Sequence, residues 1–580
     1  MPTYIRLTDY KSSEEKERGF FKPENRYEAK QEDFEKIPGS PIAYWINKII
    51  WKLFKEDKIL NKYAIVKRGP SLPSNEKYVR KWHEIDKKEI IGNIKHKQWF
   101  LCNKSGGYEK WYAKTEDALL FMVNNKKINI SNKDLLLKEC IIWSDARFGN
   151  KKFSARYLPN NYTLESVVNL ILTKRDCINV LISYLNSKVS EYFLNITIEG
   201  QHFSPIYVKN LPFYEVKNKE IKQKIDQITQ ECIDISKEEW DSRETSWDFR
   251  TNELIRIMND EFLMLNEKPT LETVYQRYCD YWRNKFFILH KNEEELNRLF
   301  IEIYELQDEL TPDVPLEDIT ILKNETKIVD NELVFQADEI MKQFISYGVG
   351  VMLGRYSLDH EGLHIADMSV SLEEANLKFN IQNSTFEIDD DNIIPVLEDD
   401  YFKDDIASRF VQFVKATFGE EHLSENVRFI ERSLGKSLRR YFVKDFYEDH
   451  IKRYKKRPIY WMVSSPKKGF MSLIYMHRYK SDTFARVRNS YLSEYIAKLE
   501  AQKENLNLTL NSKTASNKDK KDASKAIKKI EVKLKELIDF DRDVMMNFAR
   551  DSFEIDLDDG VKVNYCRFKD ILYPIKGLCK

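Results

Sequence analysis

Glycine and proline are scarce in this 580-residue chain, at 17 and 16, and no two prolines are adjacent. That excludes collagen-like and proline-rich low-complexity character. The seven cysteines (Cys102, Cys140, Cys177, Cys232, Cys279, Cys566, Cys579) form no Cys-x-x-Cys pair and are odd in number. Their spacing points to reduced, mostly buried thiols rather than zinc ligands or disulfides. No stretch reaches the ~18 uncharged apolar residues of a membrane span, and the opening MPTYIRLTDYKSSEEKE is too polar for a signal peptide. The expectation is a cytoplasmic protein without membrane contact. Net charge is missing as well, with 94 basic residues against 94 acidic ones.

What is present is apolar and aromatic surface: 42% hydrophobic residues, with 31 Tyr, 33 Phe and 10 Trp. Wholesale disorder is excluded, and at roughly 100–200 residues per domain the length allows about three to five domains. The charge is unevenly spread, for residues 61–220 carry 27 Lys and Arg against 16 Asp and Glu, a bias that suggests one region meets a polyanion.

The pattern predicts an α+β fold. Residues 1–36 read as a charged N-terminal connector. A Pro-Gly turn and the apolar-periodic Ile37–Phe54 then open a mixed domain over 37–215, with strands at Lys97–Cys102 and Glu139–Ser144 and helical spacing over Arg175–Leu194. Long periodic segments (Lys217–Trp240, Leu254–Leu265, Leu271–Leu310) predict a helical spacer over 216–310. A mostly helical domain over 311–490 follows, with a strand at Ile319–Leu322, a helix over Glu332–Leu353 and a solvated acidic connection over Glu387–Asp405. Residues 491–550 read as a helical hairpin with an antiparallel coiled-coil seam, Lys503 occupying the one missed apolar position. A C-terminal segment, 551–580, completes the chain.

Few motifs carry chemistry. His360-Glu361-Gly362-Leu363-His364 matches HExxH, in which two histidines one helical turn apart bind zinc and the glutamate acts as base. Gly362 disfavours the helix this needs, and SLDHEG reads as a turn. Pro312-Asp313 with Glu325-Thr326-Lys327 loosely imitates a magnesium nuclease pattern. Gly435-Lys436-Ser437 lacks the upstream glycine of a phosphate loop, and Gly348-Val349-Gly350 follows a predicted helix rather than a strand.

The nucleic-acid signals are stronger. Lys67, Arg68, Lys77, Arg80, Lys81, Lys104, Lys110, Arg147, Lys151, Lys152 and Arg156 lie in turn-rich stretches of the mixed domain, where side chains reach a DNA groove. A second basic-aromatic stretch from Arg439 to Trp461 holds Arg439, Arg440, Lys455, Lys456 and Arg457 among tyrosines and phenylalanines. That mix suits phosphate contact, and equally a core helix with a basic outer face.

Ten collinear blocks, among them Ile37–Ile46, Lys77–Ile85, Lys110–Lys114, Trp240–Phe249, Glu309–Leu322, Tyr347–Asp359, Lys455–Met462, Leu473–Tyr479 and Ile555–Tyr565, resemble the C-terminal half of the PglX family. These are the adenine-specific DNA methyltransferases of BREX phage-defence systems. The stretch LISYLNSKVSEYFL with FSPIYVKNLP is also similar to target-recognition domains of restriction-modification enzymes. The resemblance implies a DNA target-recognition domain, a spacer and a scaffold. It also implies that S-adenosylmethionine binds in a preceding N-terminal domain, where an Asn-Pro-Pro-aromatic tetrapeptide holds the flipped adenine. This sequence has no Pro-Pro and no glycine-rich strand-to-helix turn, so no catalytic or cofactor residues are assigned in it. The resemblance places Asp313, His360 and His364 at positions without a ligand role.

The expected function is therefore target recognition within a PglX-like methyltransferase, inactive alone. Its expected partners are double-stranded DNA, a methyltransferase-domain chain or missing N-terminal half, and other BREX proteins. The alternatives are a stand-alone metal-dependent hydrolase using His360, Glu361 and His364, and a protein-interaction scaffold without DNA contact.

Overall fold

The computed structural model describes residues 1–54, 58–70, 75–90, 97–104, 106–123, 126–127, 137–146, 152–165, 167–173, 177–198, 200, 202–262 and 268–579. The fold is mixed α+β, with helices around several small sheets. The chain divides into two compact units, each discontinuous. Residues 1–78, 100–240 and 283–322 form the first, and residues 79–99, 241–282 and 323–580 the second. A serial reading of the chain does not contain that division, because each unit gathers segments far apart in sequence.

The first unit is built on a five-stranded sheet in the order Ile65–Arg68, Val168–Leu172, Cys140–Ser144, Ala155–Leu158, Trp111–Tyr112. Its pairs are antiparallel except the last, where Arg156 stands opposite Trp111 in parallel register. Cys140–Ser144 is a near-continuous apolar run because it is a central strand buried on both faces. A second sheet sets Lys97–Asn103 between Thr163–Leu164 and Asp117–Val123. Both strands expected from the sequence are therefore present.

The helix expected over Arg175–Leu194 is two helices, Ile178–Asn186 and Lys188–Thr197. Ser187 divides them: its own N–H bonds the Tyr184 carbonyl, and its hydroxyl caps the next helix by accepting from the Ser190 N–H. Within this unit, residues 219–240 of the spacer helix Lys219–Asp241 run antiparallel to residues 283–303 of the spacer helix Leu271–Ile303. Glu238 meets Lys285 at 2.9 Å, Glu231 meets Asn292 at 2.7 Å and Lys224 meets Glu295 at 2.5 Å.

In the second unit the helix Ala337–Met352 packs against Ile406–Phe418 and Leu423–Leu434. A fully buried three-stranded sheet runs in the order Ile394–Pro395, Met471–Tyr475, Tyr460–Ser464. The helical hairpin is there as Ser493–Asn511 and Asn517–Phe540, with Leu499, Ile527, Ile530, Leu534 and Leu537 buried. Lys503, at the missed seam position, reaches Glu531 at 2.8 Å. Each helix meets a π-helical turn at the hairpin's base, and Arg488 joins the two turns by gripping Asp541 at 2.6 and 2.9 Å.

Four expectations are corrected. Ile319–Leu322 is buried but is not a strand, since no strand among the described residues pairs with it and Leu322 turns at φ +57°. Glu332–Phe335 is a strand paired with Thr326–Val329, so the helix begins only at Ala337. The acidic tract is not solvated throughout: Glu387, Asp390, Glu398, Asp399 and Asp400 are exposed, but Ile393, Ile394, Val396 and Leu397 are buried, Ile394 pairs with Leu473, and Asp389 and Asp405 are buried as well. The cysteines are not all reduced, because Cys566 and Cys579 form a disulfide across 13 residues with Cα atoms 5.4 Å apart. Sequence spacing cannot show that a helix and the turn after it fold back on each other. Of the others, Cys102, Cys140, Cys232 and Cys279 are buried and Cys177 is half-buried.

Candidate nucleic-acid interface

At one end of the first unit the strand termini bring several of the expected basic residues together. Arg68 ends the edge strand, is 63% exposed, and pairs with Asp145 at 2.9 Å. Asp145 follows the central strand Cys140–Ser144 and also receives the Asn169 side chain at 3.2 Å and His202 at 3.3 Å. Next to it the Ser144 hydroxyl donates to the Gly106 carbonyl and accepts from Arg156, both at 2.9 Å. Lys104 reaches Glu165 at 3.8 Å, and Gly69 packs directly on the Glu165 carbonyl. Lys67 is exposed on the same edge strand. Arg68 and Lys104 thus stand at neighbouring strand ends of the two sheets, each beside an acid, with Lys67 exposed on the same edge strand as Arg68. Such an arrangement keeps long side chains ordered while leaving them within reach of phosphates.

Of the other expected contacts, Arg156 and Lys110 are internal. Arg156 is 1% exposed, lies against Gly106, and has Glu109 at 3.8 Å; burial pulls its pKa below the usual arginine value. Lys152 pairs with Asp318 at 2.5 Å. Lys110 is 8% exposed and pairs with Glu293 at 2.6 Å, and Trp111 donates its indole N–H to the other oxygen of the same carboxylate at 2.8 Å. Burial opposes the Lys110 charge, but Glu293 outweighs it and raises the pKa. Lys77 is exposed in the first unit beside the ring of Tyr78, and Arg147 and Lys151 lie outside the described residues.

In the second unit the basic-aromatic stretch is mostly a core helix pair with a basic outer face. Helices Leu438–Lys444 and Phe446–Arg453 bury Tyr441, Phe442, Phe446, Tyr447 and Ile451. Arg439 holds Asp405, the N-cap of Ile406–Phe418, at 3.1 Å. Arg440, Lys455 and Lys456 are exposed, Lys456 donating to the Lys576 carbonyl at 3.0 Å. Arg457 stands 3.9 Å from buried Glu84, and Arg80 donates to the Asp558 carbonyl at 3.2 Å. Lys81 is the half-buried residue at the start of the turn Trp82–Glu84.

The enzyme-like matches do not assemble into sites. His360–Leu363 is loop, and Gly362 sits at φ +83°. His360 stacks on Phe379 with ring centroids 3.6 Å apart and shares a 2.9 Å hydrogen bond with His364, while Glu361 faces Arg250 at 3.5 Å. Among the described residues no group of three or more metal-ligating side chains converges. Asp313 and Glu325 belong to different units. Glu325 is buried and held by Arg243 and Gln343. Of the glycine motifs, Gly348 and Gly350 lie inside a helix, and Gly435 closes one helix before the next.

Sequence reasoning missed the acids that organise the site. Asp145, Glu165 and Glu293 carried no motif; only the placement of Asp145 at the end of an apolar strand hinted at a rim position. It also missed a buried polar centre in the second unit. There Arg355 donates to the hydroxyls of Tyr356 and Tyr475, both at 3.1 Å, and lies over Trp82, whose indole N–H donates to the Thr245 carbonyl at 2.8 Å. Glu244 takes the Ser346 hydroxyl in the same core. Apart from Ser346, these residues come from four of the blocks on which the family resemblance rests.

No family model matches the chain. Two curated proteins are similar to it along essentially its whole length. The adenine-specific methyltransferase PglX of Lacticaseibacillus casei (strain Zhang) is 32% identical over 624 residues, covering 99% of this chain and 49% of the relative. The adenine-specific methyltransferase BrxX of Escherichia coli O9:H4 (strain HS) is 32% identical over 610 residues, covering 100% and 48%. The chain spans about half the length of the curated relatives it matches, as expected for the C-terminal half of a PglX-type protein. Among the described residues no helix is long and apolar enough to cross a membrane.

Proposed function

We propose that the chain is the DNA target-recognition and scaffold portion of a PglX-like BREX adenine-specific DNA methyltransferase acting in phage defence. The observation that carries this reading is the full-length similarity to half of two named adenine-specific methyltransferases, in a chain that lacks any Pro-Pro for the adenine-holding tetrapeptide. The placement of Lys67, Arg68 and Lys104 at neighbouring strand ends of the first unit supports double-stranded DNA as the ligand, because ordered cations at loop and strand ends suit phosphate contact. In this reading the chain works in the cytoplasm beside other BREX proteins, and binding of S-adenosylmethionine and methyl transfer belong to a methyltransferase domain outside it.

The test pairs two measurements on the purified chain. Calorimetry with S-adenosylmethionine is expected to give no heat of binding, and duplex DNA is expected to bind with a marked salt dependence. Adding the N-terminal half of a relative such as PglX is expected to produce adenine methylation. Micromolar cofactor binding by the chain alone would overturn the division of labour. Absence of salt-dependent DNA binding would leave a protein-interaction scaffold.

A further inference from the structure

We propose that Glu293 is the positioning residue of the DNA-facing end of the first unit, a role that rests on the reading of that end as the DNA contact. Glu293 is 4% exposed on the helix Leu271–Ile303, and both of its oxygens are committed, one to Lys110 and one to Trp111. Trp111 is itself unusual. Its φ is +73°, a left-handed conformation that a bulky aromatic residue adopts only when its surroundings enforce it. The enforcement comes from three sides: the two hydrogen bonds of Glu293, the Thr320 hydroxyl accepting the Lys110 N–H at 3.2 Å, and the parallel register of Trp111 against Arg156.

This bend decides where the preceding segment goes. The chain leaves Lys97–Asn103, carries Lys104 to Glu165 and Gly106 to Ser144, and returns at Lys110 to enter the sheet. With Lys110 and Trp111 clamped, Arg156 is trapped against Gly106 and Lys104 is delivered to Glu165, whose carbonyl lies against Gly69, the residue after Arg68. Phosphate contacts need cations at fixed spacing, because the partner's charges are themselves regularly spaced. Glu293 touches no DNA in this scheme and acts only through Lys110 and Trp111. Glu293→Gln keeps one acceptor but leaves the Lys110 ammonium buried without its counter-charge. Trp111→Phe removes only the indole donor and keeps a buried ring.

The experiment measures binding of the full chain to a pool of fluorescent random-sequence duplexes by anisotropy across a salt series, with thermal unfolding recorded in parallel. Lys104→Ala is expected to lower the salt slope by about one unit, the value for one lost phosphate contact. Glu293→Gln and Trp111→Phe are each expected to lower it by a similar amount, and Lys104→Ala combined with either is expected to lower it no further. That non-additivity is what a general loss of stability would not produce. Wild-type slope and affinity in both Glu293→Gln and Trp111→Phe, or slope losses that add in full to that of Lys104→Ala, would overturn the positioning role while leaving the interface in place. Absence of wild-type binding would remove the interface reading and this role with it. If Glu293→Gln does not fold, Trp111→Phe alone decides: a lowered slope supports the positioning role and a wild-type slope overturns it.

Discussion

Asp389 and His364 are buried titratable groups whose shifts oppose each other. Burial, reinforced by Asp391, pushes the Asp389 carboxyl up from 3.8 to about 7. A carboxyl raised in the fold favours the protonated form there, so its contribution to stability is present at low pH and declines as pH rises from about 4 to about 7. The stability gain of Asp389→Asn over wild type is therefore expected to grow across that interval and then level off. Urea unfolding at a series of pH values checks this, and a constant difference would contradict it. His364 runs the other way. Burial and His360 lower it from 6.5 to about 4, so its share of stability is present above pH 6.5 and is lost as pH falls toward 4. His364 is 5% exposed, so His364→Ala is expected to cost about 1–2 kcal/mol rather than a surface value. Added zinc is expected to leave the melting temperature unchanged.

Packing sets the terms for the elements. Gly350 sits in the helix Ala337–Met352, where replacing glycine with alanine ordinarily gains about 1 kcal/mol. Here a Cβ would stand 2.5 Å from the Tyr356 ring and 2.9 Å from the Tyr460 hydroxyl, both fully buried. Overpacking of that kind costs roughly 1–3 kcal/mol or more, so Gly350→Ala is expected to lower stability despite the better helix former. The hairpin gives the opposite case. Lys503 lies between Leu499 and Leu506, and its half-exposed pair with Glu531 contributes little. Lys503→Leu is expected to raise stability by about 0.5–1 kcal/mol, measured by denaturant midpoint.

At the scale of the whole molecule, the first unit is not complete until residue 322. Tyr184 packs on Phe300 and stacks with Tyr304, and the Tyr304 hydroxyl donates to the Pro212 carbonyl at 3.0 Å. A fragment ending at 215 would expose these rings and leave Lys110 without Glu293. It is expected to be degraded by protease much faster than a fragment ending at 322. Equal resistance would show that the spacer helices are dispensable to the fold of the first unit.

Local pattern by itself determined much of this protein. The central strand Cys140–Ser144, the spacer helices and the hairpin were legible because hydrophobic period and turn residues act over short stretches of chain. The family blocks were legible because ten collinear segments are hard to meet by chance. Only the tertiary structure decided which cations stay at the surface. Arg68 and Arg156 read alike in sequence, yet one ends an edge strand beside Asp145 and the other is enclosed against Gly106. It also buried the apolar middle of the acidic tract, paired Cys566 with Cys579, and set Glu293 beside Lys110. Burial and charge pairing depend on partners up to hundreds of residues away, and no local pattern records who those partners are.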